Sequence, residues 1–190
     1  MRIITGKARG TRLATLEGEA TRPTAERTKE AVFSMLCDRI PESRVLDLFA
    51  GSGQLGLEAL SRGASHAVFC DSSARALDVV RANAEKTHLM GESELLRTDA
   101  VSFLRSAKGK RQFDIVFLDP PYAMGLVPVC LSLLRECSLL SPEARLICET
   151  ADAADVFGKE TILQEHFEIL RVARYGAACV TVLRQKEITE

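Results

Sequence analysis

The segment Asp119-Pro120-Pro121-Tyr122 combines residue types that could carry out chemistry. It follows an apolar run ending at Leu118, which predicts a buried parallel strand. Ligands bind at the carboxyl ends of such strands. The prolines supply no N–H donors, so the Asp119 carboxylate and the Pro120 carbonyl form a pair of acceptors suited to an –NH2 group. With Tyr122 as a flat surface, the segment indicates a site for the exocyclic amine of a nucleobase, or else a plain turn after a strand.

A glycine-rich loop with the sequence DLFAGSG, residues 47–53, follows an earlier apolar run. Gly51, Gly53 and Gly56 match the pattern G-x-G-x-x-G, and Asp71 follows Gly51 by twenty residues, as in dinucleotide-binding folds. The glycines would let the backbone approach a ligand closely, and Asp71 could accept hydrogen bonds from ribose hydroxyls. The glycines alone leave a nicotinamide cofactor open.

Three features favour S-adenosylmethionine over a nicotinamide cofactor. Asp47 precedes the glycines, where a carboxylate would repel a pyrophosphate but suit a ligand with ammonium and sulfonium groups. Asp99 ends the third predicted strand and could accept from an adenine amino group. The segment at Asp119 offers no obvious acid or base for hydride transfer. Asp71 and Asp99 could each be a helix N-cap instead.

Apolar periodicity predicts regular alternation of strands and helices, which indicates an α/β fold with a mostly parallel sheet and right-handed crossovers. We expect strands at 45–49, 67–70, 95–99, 113–118 and 145–149, and a final hairpin of 167–174 and 177–184 that adds one antiparallel strand. We expect helices at 55–62, 74–87, 101–107, 126–137 and 152–157, and an earlier one capped by Thr24 and ended by Pro41. A short hairpin of 2–5 and 11–14 opens the chain.

The composition fits a globular protein. With 190 residues, 46% hydrophobic and 27% charged, we expect one domain, with an N-terminal arm at 1–20 and a catalytic core at 21–190. No segment has the length of a membrane span, and the polar, basic start gives no sign of a signal peptide. The six cysteines have neither CxxC nor zinc-site spacing. We therefore expect buried thiols, no metal site and a cytoplasmic location.

The positive charge of the chain is concentrated near its start. The net charge is −1, so the chain as a whole is not a basic nucleic-acid binder. Residues 1–12 contain no acid, and the early cations are Arg2, Lys7, Arg9, Arg12, Arg22, Arg27 and Lys29. This distribution is typical of a segment that contacts phosphates, and equally of a solvated surface hairpin.

These motifs resemble one known family. RIITGKARGTRL, RPTAERTKEAVFSML, DLFAGSGQLGLEALSRGA and FDIVFLDPPY are similar to segments of the RsmD-type bacterial small-subunit (16S) ribosomal RNA guanine-N2 methyltransferases, within the class I superfamily. The first two are the specific ones, because the others also occur in other amino-methyltransferases. The resemblance implies a Rossmann-like, seven-stranded sheet with an antiparallel last strand, helices on both faces, and methyl transfer from S-adenosylmethionine to one guanine of the small ribosomal subunit. We expect a monomer.

The resemblance also implies roles for particular residues. Cofactor binding falls to Asp47, Gly51, Gly53, Asp71 and Asp99, and Phe49 of the same loop joins them; catalysis falls to Asp119, Pro120 and Tyr122. Arg22, Thr24 and Arg27 are implied to lie near the Asp-Pro-Pro-Tyr segment or the RNA. The basic start of the chain adds Arg9 and Arg12 as residues that we expect to contact RNA. Family members often carry glutamate at the position of Asp71. Asp119 and Pro120 would accept the two amine hydrogens and so orient the nitrogen for attack.

Other functions stay open from the sequence. A DNA adenine-N6 methyltransferase or another amine methyltransferase could use the same Asp-Pro-Pro-Tyr segment. A nicotinamide dehydrogenase and a non-catalytic RNA-binding module are further alternatives.

Overall fold

The computed structural model describes residues 1–16, 23–121 and 124–186, and for residues 23–25 the backbone alone. Its strands are β1 (Arg44–Asp47), β2 (His66–Asp71), β3 (Ser93–Arg97), β4 (Phe113–Leu118), β5 (Leu140–Thr150), β6 (Phe167–Tyr175) and β7 (Ala178–Gln185). Its α-helices are α1 (Pro23–Met35), α2 (Gln54–Ser61), α3 (Ala74–Lys86), α4 (Ala100–Ser106), α5 (Leu126–Glu136) and α6 (Thr161–His166). Single 3-10 turns occur at Met90–Glu92 and Ala153–Val156.

The seven strands form one sheet in the order β3-β2-β1-β4-β5-β7-β6. Strands β1 to β5 pair in parallel, and β7 runs antiparallel to both β5 and β6. The predicted single antiparallel strand is confirmed. The strand order reverses at β1, which lies between β2 and β4, and ligands of open α/β sheets bind at such a reversal.

Helices cover both faces of the sheet because alternate strand residues point to opposite sides. Val45 and Ile115 belong to a core cluster with the apolar residues of α1, α2 and α3. Leu46 and Val116, their neighbours in sequence, belong to the cluster that contains α4, α5 and α6. The predicted Rossmann-like arrangement is confirmed.

Several boundaries differ from the predictions. Helix α1 begins at Pro23, so Thr24 lies inside its first turn and the predicted capping role of Thr24 is wrong. Proline suits the first helical turn, where its missing N–H has no intrahelical partner. Strand β5 begins at Leu140 rather than at residue 145, and its pairing with β4 is irregular between Phe113 and Ile115. Helix α6 was not predicted.

The structure also bears on the expectations about buried cysteines, membrane-spanning helices and metal sites. All six cysteines are free, and five are buried, but Cys37 is exposed, so the expectation of burial is wrong for this residue. Within the described residues, no helix combines the length and apolar character that a membrane crossing requires. Across the same residues, no three histidine, cysteine, aspartate or glutamate side chains come together in a way that could hold a metal ion.

Candidate active site

A cavity of about 1010 Å³ opens at the carboxyl ends of the parallel strands. Of the residues predicted to form the site, it is lined by Phe49 and Gly51 after β1, Asp71 at the end of β2, Asp99 after β3, and Asp119 and Pro120 after β4. Leu16 of the N-terminal arm (residues 1–20, described to residue 16) also lines it. The volume is that of a pocket for a nucleotide-sized ligand.

The glycine loop, residues 47–53, is shaped by left-handed backbone and by one carboxylate. Gly51 and Gly53 have φ of 52° and 76°. Asp71 fixes the loop, because its Oδ2 accepts a hydrogen bond from Gly51 N at 3.0 Å and its Oδ1 accepts from Ser73 N at 2.8 Å. Gly53 is not part of the lining; a Cβ there would lie 3.1 Å from Cγ1 of Val80. Gly53 therefore lets the loop pack against α3.

Asp47 lies behind the glycine loop and does not line the cavity. Its side chain is buried, and its Oδ2 accepts a hydrogen bond from Gly56 N at 3.0 Å. Burial raises the pKa of Asp47 to about 7, and the nearby charge of Asp71 adds to this shift. The structure thus does not bring Asp47 to the ligand space; the carboxyl group joins β1 to the first turn of α2.

Asp99 is both a lining residue and a helix cap. It is the N-cap of α4, and its Oδ1 accepts from Ser102 N at 2.9 Å. That hydrogen bond is the main cause that lowers the pKa of the Asp99 carboxyl group. The two interpretations of Asp99 are compatible, because a capping carboxylate still has lone pairs directed away from the helix.

Asp119 and Pro120 leave the sheet directly after β4, with Asp119 half-buried and Pro120 buried. Leu118 pairs with Cys148 of β5, so Asp119 and Glu149 come next along two neighbouring strands. Glu149 also lines the cavity and was missed, although an acid at the end of a predicted strand was the available signal. Tyr122 lies outside the described residues.

The lining of the cavity is acidic. Its described residues include four carboxylates, Asp71, Asp99, Asp119 and Glu149, and no lysine, arginine or histidine. Four carboxylates around one cavity favour a positively charged ligand and disfavour a pyrophosphate.

The N-terminal arm is docked on the core rather than extended from it. An antiparallel bridge joins Arg2 to Arg12. The buried carboxylate of Glu58 on α2 accepts hydrogen bonds from Ile4 N at 2.8 Å and Thr5 N at 3.0 Å. Glu58 also forms ion pairs with Lys29 at 3.2 Å and Arg62 at 2.8 Å. Sequence reasoning missed this group, although an acid within an apolar helix was a signal.

Of the predicted RNA-contacting residues, Arg9, Arg12 and Arg27 do not line the cavity. Arg9, Arg12 and Arg27 are exposed. Two other cations of the arm are paired with acids: Arg2 lies 3.6 Å from Glu26 and Lys7 lies 2.7 Å from Glu92. Arg22 and the side chain of Thr24 lie outside the described part of the chain.

The sheet order, the antiparallel β7, the glycine loop after β1 and the acidic cavity at the strand reversal define the class of S-adenosylmethionine-dependent class I methyltransferases. A solved structure described as SMU.776, a candidate methyltransferase complexed with SAH, superposes with a TM-score of 0.67 at 18% identity. The superposition covers 82% of this chain and 49% of the SMU.776 chain. At this low identity it supports the assignment of the fold and no more.

The chain belongs to the family described as Conserved hypothetical protein 95, whose sequence model matches residues 1–184. It is a methyltransferase, as its relatives are. Haemophilus influenzae ribosomal RNA small subunit methyltransferase D is 37% identical over 168 residues, which are 87% of each chain. The structure of the candidate methyltransferase yhhF from Escherichia coli superposes with a TM-score of 0.85 at 32% identity and covers 98% of both chains.

Proposed function

We propose that this protein transfers a methyl group from S-adenosylmethionine to the exocyclic N2 amine of one guanine in small-subunit (16S) ribosomal RNA. One observation carries the proposal: the glycine loop and the Asp119-Pro120 segment line the same acidic cavity. The names of related proteins, such as the Haemophilus influenzae ribosomal RNA small subunit methyltransferase D, support ribosomal RNA as the substrate.

The cavity fits the proposed cofactor. Gly51 and Phe49 would contact it, Asp71 would accept from the ribose hydroxyls, and Asp99 would accept from the adenine amino group. Asp47 and Gly53 would act indirectly, by fixing the loop. When bound, S-adenosylmethionine supplies a methyl group on a sulfonium. The acidic lining suits the positive charges of this ligand, whereas a dinucleotide would bring two phosphates next to carboxylates.

Asp119, Pro120 and Tyr122 form the proposed catalytic set. The Asp119 carboxylate and the Pro120 carbonyl accept the two hydrogens of the guanine amine, which orients the nitrogen lone pair. Because these acceptors are fixed after β4, they also stabilise positive charge as it develops on the nitrogen. Asp119 or water then takes the proton. The base leaves its stack to enter the site, and Tyr122 provides a stacking surface worth about 1–3 kcal/mol.

The RNA-contacting surface comprises the exposed side chains of Arg9, Arg12 and Arg27, together with Arg22 and Thr24. Changing both Arg9 and Arg12 to glutamate should weaken RNA binding and lower the salt slope by about 1 for each lost phosphate contact. A matched control changes Lys108 and Lys110 to glutamate, because these exposed lysines precede β4 and so lie towards the amino ends of the parallel strands, whereas the cavity lies at their carboxyl ends. If the salt dependence of RNA binding is the same in the two double variants, the arm does not contact the RNA.

The experiment that tests the whole proposal is mass mapping of modified guanines in small-subunit ribosomal RNA from cells with and without this protein. One N2-methylguanine should disappear without the protein and return when it is supplied. Purified protein should also transfer a tritiated methyl group to that RNA or to the small subunit. Label on adenine in duplex DNA, or an unchanged methylation map, would overturn the proposal.

The proposed setting is the cytoplasm, with the small ribosomal subunit as partner and one domain acting as a monomer. Six free cysteines fit a reducing compartment. The described cavity draws its lining from five strand ends and the arm of one chain, so no second copy is needed to build it. Light scattering of the purified protein should give a mass near 20.8 kDa.

A further inference from the structure

Asn83, on α3, joins the N-terminal arm to the glycine loop through one buried amide. The residue is 1% exposed. Its Oδ1 accepts a hydrogen bond from Ala14 N at 2.8 Å, and its Nδ2 donates to Ala14 O at 3.0 Å and to Ser52 O at 2.9 Å. A rotation of the amide would exchange donor and acceptor at every one of these contacts, so its orientation is fixed by its partners.

The two segments that meet at Asn83 both continue into the cavity. Leu16, two residues after Ala14, is part of the lining. Ser52 lies between Gly51 and Gly53, and Gly51 lines the cavity while its N–H is held by Asp71. A ligand that shifts or stiffens the glycine loop therefore acts on the same side chain that holds the arm.

We propose that Asn83 is a positioning residue that couples cofactor binding in the glycine loop to the placement of the N-terminal arm, and so to RNA binding. The inference rests on the proposed function, in which the loop holds the cofactor and the arm contacts RNA. Coupling between two ligands is reciprocal, so the cofactor tightens RNA binding by the same factor by which RNA tightens cofactor binding, typically about 5–150-fold.

A second set of contacts provides a matched control. Ser61, at the end of α2, accepts a hydrogen bond from Ala8 N at 3.0 Å and donates one to Thr5 O at 2.6 Å. Like Asn83, it is a buried polar side chain that binds the backbone of the arm. Unlike Asn83, it has no hydrogen bond to the glycine loop among the described contacts. Ser61→Ala should loosen the arm without uncoupling it from the loop.

The first experiment uses the full chain and S-adenosylhomocysteine, without RNA. Hydrogen exchange of the backbone amides of residues 1–14 is measured with and without saturating ligand, whose binding is verified by calorimetry. In the unchanged protein and in Ser61→Ala, the ligand should slow exchange in the arm. In Asn83→Ala the ligand should still bind, but this slowing should be lost.

A second variant, Asn83→Asp, keeps the acceptor for Ala14 N and removes the donors to Ala14 O and Ser52 O, so it should give the same loss if Asn83→Ala does not fold. Ligand-induced slowing that persists in either folded Asn83 variant overturns the assignment. Absence of slowing in the unchanged protein also overturns it.

The second experiment measures RNA affinity with and without S-adenosylhomocysteine for the same variants, using a small-subunit ribosomal RNA fragment. The ratio of the two dissociation constants should be about 5 or more in the unchanged protein and in Ser61→Ala. It should approach one in Asn83→Ala. A ratio of one in an unchanged protein that binds and methylates the RNA overturns the coupling and leaves the proposed function intact. If the unchanged protein neither binds nor methylates the RNA, the proposed function is overturned. The hydrogen-exchange experiment then decides alone whether Asn83 couples the glycine loop to the arm.

Discussion

The acids that follow or end β1, β2 and β3 are placed differently from the acids that follow or end β4 and β5. On the cofactor side, built by β1, β2 and β3, each acid accepts a hydrogen bond from a backbone N–H: Asp47 from Gly56, Asp71 from Gly51, and Asp99 from Ser102. On the base side, built by β4 and β5, Asp119 and Glu149 lie at neighbouring strand ends and both line the cavity. Helix α5 begins only at Leu126, after Gly125 with φ of 56° and no side-chain cap.

Carboxylates have two proposed uses in this protein: some shape the backbone, and others face the substrate. An acid bonded to fixed backbone amides determines the shape of a loop or the start of a helix, and through that shape it affects ligand affinity. Asp119 lines the cavity directly after β4, and we propose that it acts on the reacting group of the substrate. Substitutions on the cofactor side should therefore change stability or cofactor affinity, and substitutions on the base side should change the rate of transfer.

The largest effect is expected on the base side, for Asp119→Asn. Loss of one fixed charge at the reacting nitrogen should slow methyl transfer by about 10²–10³-fold, with the affinity for S-adenosylhomocysteine nearly unchanged. Single-turnover transfer of a tritiated methyl group and calorimetry measure the two quantities. Asp114→Asn is the control, because Asp114 lies at the other end of β4, bound to Arg44 at 3.0 Å. If Asp119→Asn weakens cofactor binding without slowing methyl transfer, the acids of the two sides do not differ in function.

A second effect is expected from Asp47, in the pH dependence of stability. Its pKa is raised from 3.8 to about 7, so between these values the folded protein holds a proton that the unfolded chain has lost. Stability from this carboxyl group therefore falls as the pH rises, by about 2–3 kcal/mol between about pH 5 and pH 8. Asp47→Asn keeps an acceptor for Gly56 N and should remove this part of the dependence.

Urea unfolding of Asp47→Asn at both pH values measures this effect, with Asp78→Asn on the exposed side of α3 as the control. If the free energy of unfolding changes with pH as much in Asp47→Asn as in the unchanged protein, Asp47 is ionised in the folded protein over this whole pH range.

The smallest effect is expected for Asp99→Ala. Loss of one hydrogen bond to the adenine amino group should weaken cofactor binding by about 2–10-fold, which raises KM for S-adenosylmethionine while kcat stays the same. Asp152→Ala, which removes a capping carboxylate from a turn outside the main cavity, provides the control for lost capping. A fall in kcat at saturating cofactor would place Asp99 with the base-side acids.

The order of the elements could be predicted from the sequence because alternation of apolar runs reports strands and helices directly. The glycine loop and Asp119 were placed at strand ends for the same reason. Helix α6 could not be predicted, because Leu163 is its one buried residue and no apolar period is present. The early start of β5 was hidden by Pro142, which normally indicates the absence of a central strand.

The direction of single side chains was harder to predict than the elements. Asp47 ends a strand whose residues are buried on both faces, so sequence position does not say whether its carboxyl group points to the ligand or to α2. Asn83 and Glu58 contact segments about 70 and 54 residues earlier in the chain, and such contacts leave no local pattern. Glu149 was predictable in position, but one acid at a strand end does not indicate a role.

Gly6 has a consequence for how far the arm reaches. A Cβ at this position would lie 1.8 Å from the carbonyl oxygen of Ser61, and its φ is 89°. Both neighbours, Thr5 and Lys7, have side chains, so sliding the arm by one residue in either direction would produce a steric clash with α2. Because the register cannot slip, Arg9 always stands three residues beyond this contact. The distance between the positive charges of the arm and the cavity therefore depends on Gly6, which has a hydrogen atom where every other amino acid has a Cβ.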